Sequence, residues 1–290
     1  MNGVSAADDR RAGGTRSAED EANHYRKLER AWQDDVGCAL LDKPYEDPGA
    51  EAVFLRQWDR LIARLDDDAQ VLIEIGCGKG HFLAHIGAVR TRPGLLVGVD
   101  LSRAVFALPG RRLSGVQADG ERLPFRDGCA GCVLFDGSLH HMIDYPHALR
   151  EAIRLLRPGG LLLIYEPVSS RFSQLVHRLL DPIIFRHVVY ESPIDIKYKH
   201  AFQMDRIIAV LREQRMAFEV SRSDFLAYPF TGCYASSFFA RRERFMRFLI
   251  ATEDRVMAMP TVNRIASLFA WRFTIAARKN AMRCVPTSMG

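Results

Sequence analysis

Residues 70–82 read QVLIEIGCGKGHF. A strand-length apolar run carries an acid, Glu74, three glycines follow at positions 76, 78 and 80, and the sequence turns amphipathic from His81. Short apolar runs bounded by glycine read as buried strands, and a glycine turn ahead of a helix lets backbone N–H groups approach a ligand without interference from a Cβ. The stretch therefore predicts a strand, a tight turn and a helix N-terminus, the usual docking place of a nucleotide-like cofactor. A glycine turn with no ligand is the plain alternative.

Working outward, the same alternation repeats. Strand-like runs occur at VLIEI (71–75), LLVGVD (95–100), GVQAD (115–119), CVLFD (132–136) and LLLIYE (161–166), with helical patterns such as HFLAHIGAV and YPHALREAIRLL between most of them. Arg157, Pro158, Gly159 and Gly160 predict a stop to the second of these helices. Near-continuous apolar strands alternating with helices imply a parallel sheet covered on both faces. Upstream, Phe54, Trp58, Leu61 and Leu65 recur at helical spacing. Downstream come a long insert, a helix (MDRIIAVLREQR), a strand (AFEVSRSDF), a basic amphipathic segment (FFARRERFMRFLIATEDRVMAM) and a last strand (LFAWRFTIAARK). The expected organisation is a disordered tail over 1–22 and one domain over 23–282. That domain comprises a helical cap (23–68), a cofactor-binding core (70–167) and substrate-side inserts (168–202 and 234–262).

Composition restricts the setting. The chain of 290 residues is 48% hydrophobic, as in ordinary globular proteins, and no apolar run approaches the roughly 20 residues a membrane span needs. The N-terminus lacks the apolar centre of a secretory signal, so a soluble, cytoplasmic protein is expected. Net charge is +5, and residues 201–290 hold 14 Lys/Arg against 7 Asp/Glu. That basic third is either a solvated helix face or a surface for nucleic acid, anionic lipid or an acidic substrate. Six scattered cysteines fit reduced thiols. Cys129 and Cys132 form a CxxC with no second pair, so no metal site is expected.

The glycines follow GxGxG, whereas the dinucleotide fingerprint is GxGxxG; the place of its third glycine is taken by His81. Asp100 ends the second strand, where a carboxylate accepts ribose hydroxyls in several cofactor classes. In QADGERLPF, Asp119 and Gly120 offer an acceptor and a backbone donor to an exocyclic amine, and Leu-Pro-Phe supplies apolar walls for a flat ring.

Taken in order, IEIGCGKGHF, VGVDLS, ADGERLPF, LFDGSLHHMID and RLLRPGGLLLIYEP resemble the motifs of class I S-adenosylmethionine (SAM)-dependent methyltransferases. The pattern is most similar to the small-molecule, methyltransferase type 11-like branch that includes ubiquinone/menaquinone-type enzymes. The resemblance covers residues 70–167 strongly and the two terminal strands weakly. It implies an α/β fold, a doubly wound, mostly parallel, Rossmann-like seven-stranded sheet, with a helical N-terminal cap and helical inserts before and after strand 6. It also implies SAM as cofactor. Carried over by position, Glu74 acts near the SAM amino group through the glycine turn, and Gly76, Cys77 and Gly78 line the methionine and ribose. Asp100 holds the ribose hydroxyls with Leu101 against the adenine. Asp119 and Gly120 read the adenine edge, and Asp136 lies near the sulfonium. Cys77 is the usual small residue of the turn, a packing group rather than a nucleophile. One departure stands out: Ala130 and Gly131 occupy the places where the family has Phe-Asp opening the fourth strand.

A base for the acceptor belongs at the C-terminal ends of strands four and five. His140 and His141 follow strand four, and an imidazole titrates near neutral pH, so either is a candidate general base or acceptor-orienting group. The alternative is a ring that packs or bonds backbone. Glu166 after strand five either faces the same crevice or fixes a loop. Tyr190, Glu191 and His200 in the insert read as structural. Aromatic and branched residues beside arginines in the inserts (Phe172, Leu175, Val176, Phe185; Phe238, Phe239, Phe245, Phe248) either lie on the core or wall a lipid-like acceptor. The expected partner is a small-molecule or lipid-like acceptor, with peripheral membrane contact admitted and the oligomeric state left open. A nucleic-acid methyltransferase is disfavoured, because FDGS stands where amino-methylating DNA enzymes carry Asp/Asn-Pro-Pro-Tyr/Phe and no cysteine follows a proline. A non-catalytic SAM-binding protein is the third reading.

Overall fold

The apolar runs become seven strands: β1 (Val71–Ile75), β2 (Leu95–Asp100), β3 (Leu113–Gln117), β4 (Ala130–Asp136), β5 (Leu156–Pro167), β6 (Ala217–Ser223) and β7 (Arg272–Arg278). They form one sheet in the order β3-β2-β1-β4-β5-β7-β6. β1 to β5 pair in parallel, and β7 runs antiparallel between β5 and β6. The computed structural model describes residues 17–37, 47–67, 69–92, 94–107, 113–167, 202–231 and 237–280, with the single positions 193 and 197. Among these, no helix is long and apolar enough to cross a membrane.

Successive strand residues face opposite sides of the sheet, and two helical layers use both. On one side Leu72, Cys132, Leu134 and Leu163 pack against Trp58 and Leu61 of α2 (Pro48–Ile62) and Phe82, Leu83 and Ile86 of α3 (His81–Val89). On the other, Ile73, Val133, Phe135 and Ile164 meet Leu149 and Ile153 of α4 (Tyr145–Leu155) and Ile207 and Leu211 of α5 (Met204–Glu213). This is the doubly wound arrangement expected from the motifs. Glu74 shares the parity of Leu72 but sits one step from the strand's end, where the glycine turn replaces helical cover.

Several boundaries differ from the sequence reading. α1 (Ala18–Trp32) begins inside the stretch expected to be disordered, because Ser17 Oγ caps it by accepting from the Asp20 N–H and three acids favour its first turn. Residues 1–16 lie outside the described residues. β3 ends at Gln117, so Asp119 falls in the following turn, its Oδ1 accepting from the Glu121 N–H at 2.9 Å. Arg157–Gly160 do not merely stop α4. They form the irregular start of β5, whose register against β4 shifts between Ala130 and Cys132. There Gly131 packs closely on the chain before β1: a Cβ on it would stand 3.2 Å from Ala69 Cα.

β7 starts at Arg272 because Ser267–Phe269 form a short 3-10 turn, and β6 stops where Asp224 turns to φ 65°. Residues 237–262 of the second insert contribute α6 (Glu243–Met257) and the start of α7 (Pro260–Ala266). The first insert, with Phe172, Leu175, Val176, Phe185, Tyr190, Glu191 and His200, lies outside the described residues apart from positions 193, 197 and 202, as does the Phe238 side chain.

Leu149 is fully buried where α4 meets the sheet, whereas Leu95 is 47% exposed at the start of β2. Leu149→Ala is expected to lower unfolding free energy by about 2–5 kcal/mol, and Leu95→Ala by about 0.5 kcal/mol or less, read from urea midpoints at unchanged slope.

Candidate functional site

The C-terminal ends of β1, β2 and β4 and the turn after β3 enclose one cleft. Gly76, Gly78 and Gly80 all take positive φ (74°, 51° and 69°), and Val99 O accepts from the Gly76 and Cys77 N–H groups at 2.7 and 3.1 Å. At Gly76 the reason for glycine is steric as well: a Cβ would lie 2.3 Å from Ser138 Cβ. Ser138 Oγ in turn donates to Ile75 O at 2.5 Å, so the turns after β1 and β4 interlock.

Of the residues expected from the sequence, Glu74, Gly76, Cys77, Gly78, Asp100, Leu101, Asp119, Gly120, Asp136 and His141 all line this cleft. Asp100 braces the turn, with Oδ2 accepting from the Gly78 N–H at 2.7 Å and Oδ1 from the Ser102 N–H at 2.8 Å. Glu74 is buried, and its Oε2 has no hydrogen-bond partner among the described residues. Burial, then the Asp136 and Asp100 charges, hold the Glu74 carboxyl well above the ordinary carboxylate range. Burial also raises Asp136, against the opposing pull of Arg272 and a hydrogen bond from Trp58. Cys77 is buried, and burial together with Glu74 and Asp100 pushes its thiol up, which disfavours a thiolate nucleophile. A Cβ on Gly120 would meet Met142 Cε at 2.6 Å and Ile75 Cγ2 at 2.9 Å, so glycine lets these side chains pack against the turn.

The two histidines part company. His141 faces the cleft, its Nδ1 3.5 Å from Oε1 of the buried Glu29 on α1. His140 does not line the cleft; its Nδ1 is 2.7 Å from Glu166 Oε2. Glu166 is 0% exposed, and its Oε1 accepts from the Ser138 and Leu139 N–H groups at 2.9 and 2.7 Å. Of the two expected placements of Glu166, this is the loop-fixing one: both oxygens bond the 138–140 loop. Burial pushes the Glu166 carboxyl up, but the charge and hydrogen bond of His140, aided by Arg272 and the Leu139 N–H, hold it below its usual value.

Four site residues escaped the sequence reading. Trp58 Nε1 donates to Asp136 Oδ2 at 2.8 Å, although its helical spacing signalled only a core position. Arg272 Nη2 lies 3.3 Å from Asp136 Oδ1, while its guanidinium stacks on Tyr165 at 4.1 Å and donates to the Tyr228 hydroxyl at 3.1 Å. A buried arginine inside an apolar strand is a legible signal, because that cation demands partners. Arg26 and Glu29 roof the cleft from α1. Arg26 hydrogen-bonds Glu121, and its Nε stands 3.2 Å from Asp119 Oδ2 as an ion pair without hydrogen-bond alignment.

Comparison with known proteins matches this geometry. Residues 73–164 match the family described as "Methyltransferase domain". A ubiquinone/menaquinone biosynthesis C-methyltransferase of Haemophilus ducreyi is 30% identical over 118 residues, 37% of this chain and 46% of that protein. A phthiotriol/phenolphthiotriol dimycocerosates methyltransferase of Mycobacterium ulcerans is 30% identical over 142 residues, 47% of this chain and 51% of that one. The chain thus spans about half the length of these curated relatives. Among solved structures, the plantazolicin methyltransferase BpumL in complex with S-adenosylhomocysteine (SAH) aligns with TM-score 0.54 and 13% identity, covering 90% of this chain and 96% of that one. The [4+2]-cyclase SpnF aligns with TM-score 0.56 and 16% identity, covering 89% and 96%. At such identities both establish the fold.

Because its folded-state value is depressed, Glu166 contributes stability that is fully present above the unfolded carboxylate pKa, about 4.3, and is lost as pH falls through the folded value. The stability gap between wild type and Glu166→Gln should therefore be complete near about pH 5 and close on further acidification, read from urea midpoints along a pH series.

Proposed function

From the premise that residues 73–164 form a class I SAM-dependent methyltransferase domain, we propose that the chain transfers a methyl group to oxygen or carbon of a small-molecule or lipid-linked acceptor. The observation that carries the cofactor side is the acidity of the cleft. Glu74, Asp100, Asp119 and Asp136 converge around a glycine turn, and Glu74 keeps a buried oxygen without a partner among the described residues. Such a cleft attracts a ligand carrying a sulfonium and an ammonium, and repels a pyrophosphate.

The Glu74 carboxylate is the group for the cofactor's ammonium, reached through the turn of Gly76, Cys77 and Gly78. Asp100 offers its remaining lone pairs to the ribose hydroxyls, and Leu101 packs against the adenine. Asp119 and Gly120 take the adenine edge, beside Met142, which packs against the Gly120 backbone. Asp136 sits at the sulfonium end. When bound, the cofactor supplies a methyl group on positively charged sulfur, so the protein's work is alignment, exclusion of water and removal of a proton.

His141 is the residue we assign to that proton or to orienting the acceptor, since it faces the cleft with Glu29 behind its ring. His140 and Glu166 are positioning residues that hold the loop carrying it. The names of the relatives, a ubiquinone/menaquinone biosynthesis C-methyltransferase and a phthiotriol/phenolphthiotriol dimycocerosates methyltransferase, support a small or lipid-linked acceptor. A SAM-binding protein without methyl transfer is the second reading, favoured by one observation: the same fold serves a protein described as a [4+2]-cyclase.

Incubation of the purified chain with methyl-labelled SAM and whole-cell extract is expected to place label in the lipid or small-metabolite fraction. Label confined to RNA would overturn the acceptor class, and tight SAM binding with label in no fraction would favour the second reading. His141→Asn should lower kcat by about 10²–10⁴-fold at unchanged SAH affinity. Because Glu74 is held above its usual range in the free protein, binding a cation there expels a proton and tightens as pH rises. Calorimetry of SAH binding in two buffers of different ionisation enthalpy should report that proton, and its absence would remove Glu74 from the amino site.

A further inference from the structure

The segment between β6 and β7 presents an apolar strip to solvent. α7 buries none of its residues. Met259, Val262, Ile265 and Leu268 are 52%, 44%, 61% and 59% exposed, and each is three positions from the next, a spacing at which side chains abut on a helix surface. Phe248 on α6 is a further exposed apolar residue of this segment, at 64%. Exposed apolar surface of this extent marks an interaction face rather than ordinary surface.

Charge narrows the partner. Arg244, Arg255 and Arg264 are exposed and form no ion pair among the described residues. The acids of the same segment are engaged elsewhere. Glu253 is buried and accepts from the backbone of residues 224, 226 and 227; Asp254 pairs with Arg56 and Arg60; Glu243 pairs with Arg247. The exposed side is left apolar and cationic, the combination that settles helices among anionic headgroups. A second copy of this chain fits less well, because a symmetric contact through this face would bring arginines against arginines.

Position gives the face a use. The turn after α7 leads straight into Arg272, which pairs with Pro167 at the C-terminal end of β5 and reaches Asp136 in the cleft. The Leu268 end of the strip therefore lies near the strand ends that form the cleft. We propose that α7 and the exposed side of α6 dock on an anionic lipid bilayer and hold the cleft's edge of the sheet against that surface. The docking rests on the acceptor reading above only for what the cleft then takes up.

Flotation of the full chain with vesicles of phosphatidylcholine containing phosphatidylglycerol, and with phosphatidylcholine alone, tests this. Binding to the anionic vesicles is expected, at least about tenfold weaker to the neutral ones and weakened by salt. Ile265→Asp with Leu268→Asp, and separately Arg255→Glu with Arg264→Glu, should each reduce anionic binding at least about tenfold while the thermal shift by SAH stays unchanged. Equal flotation of wild type and the double-aspartate variant, or no flotation of either, would overturn the proposal. So would a dimer that the same variant dissociates while neither protein binds vesicles. Flotation needs no methyl transfer, so retained vesicle binding with no label in any fraction would count against the enzyme reading and leave the docking surface supported.

Discussion

Carboxylates delivered by three different strands have to share one crevice without repelling it open. Glu74, Asp100 and Asp136 stand at the C-terminal ends of β1, β2 and β4, and like charges brought close at partial burial are costly unless each finds a donor or a countercharge. Asp100 is met by two backbone N–H groups, and Asp136 by an indole and a guanidinium. Glu74 alone keeps an oxygen unmet by the described residues. Much of the molecule is organised by that requirement. The glycine turn brings the Gly78 N–H to Asp100, α2 lies where Trp58 reaches Asp136, and β7 begins with the Arg272 that pairs with it.

A second layer of constraint keeps the crevice in shape. The turns after β1 and β4 are locked by the Ser138 hydroxyl and by the absence of a side chain at Gly76, so neither can shift alone. Behind them Glu166 gathers two N–H groups and an imidazole into one buried anchor. The opposite wall is held from α4: Arg154 spans Glu151, Asp127 and the carbonyls of Leu123 and Phe125, pinning the loop that follows Asp119. Loops carrying polar function are thus tied to rigid elements by single buried or half-buried charged groups.

The order of strands and helices was legible because hydrophobic periodicity is a local property, and so was the glycine turn, whose residue types answer to local backbone geometry. All of the expected cofactor-site residues line the cleft, since strand ends in this architecture converge by topology. What stayed hidden was long-range. Trp58 meets an acid 78 residues away, and Arg272 one 136 residues away. Nothing in helical spacing separates an indole that packs from one that also donates. The α1 residues Arg26 and Glu29 sit in a polar stretch whose amphipathy gave no hint of the carboxylates and histidine they face. Boundaries moved where polar caps and turns compete with the apolar pattern, as at Ser17 and Asp119. The contacts of Glu166 turned on which way one buried side chain points, a question of packing rather than pattern.

The antiparallel placement of β7 also sets a timetable. During synthesis the β4 carboxylate leaves the ribosome long before the guanidinium that answers it, because Arg272 follows Asp136 by 136 residues. Strands β1 to β5 can pair as they emerge, since each neighbours one already made or soon to be made. The acidic end of the crevice gains its internal countercharge only when β7 slides between β5 and β6. Nascent chains that stop short of β7 carry the glycine turn and the cleft acids Glu74, Asp100, Asp119 and Asp136, yet leave Asp136 without its guanidinium. Maturation of the crevice is therefore a late event, coupled to closure of the sheet rather than to formation of the motif that reveals it.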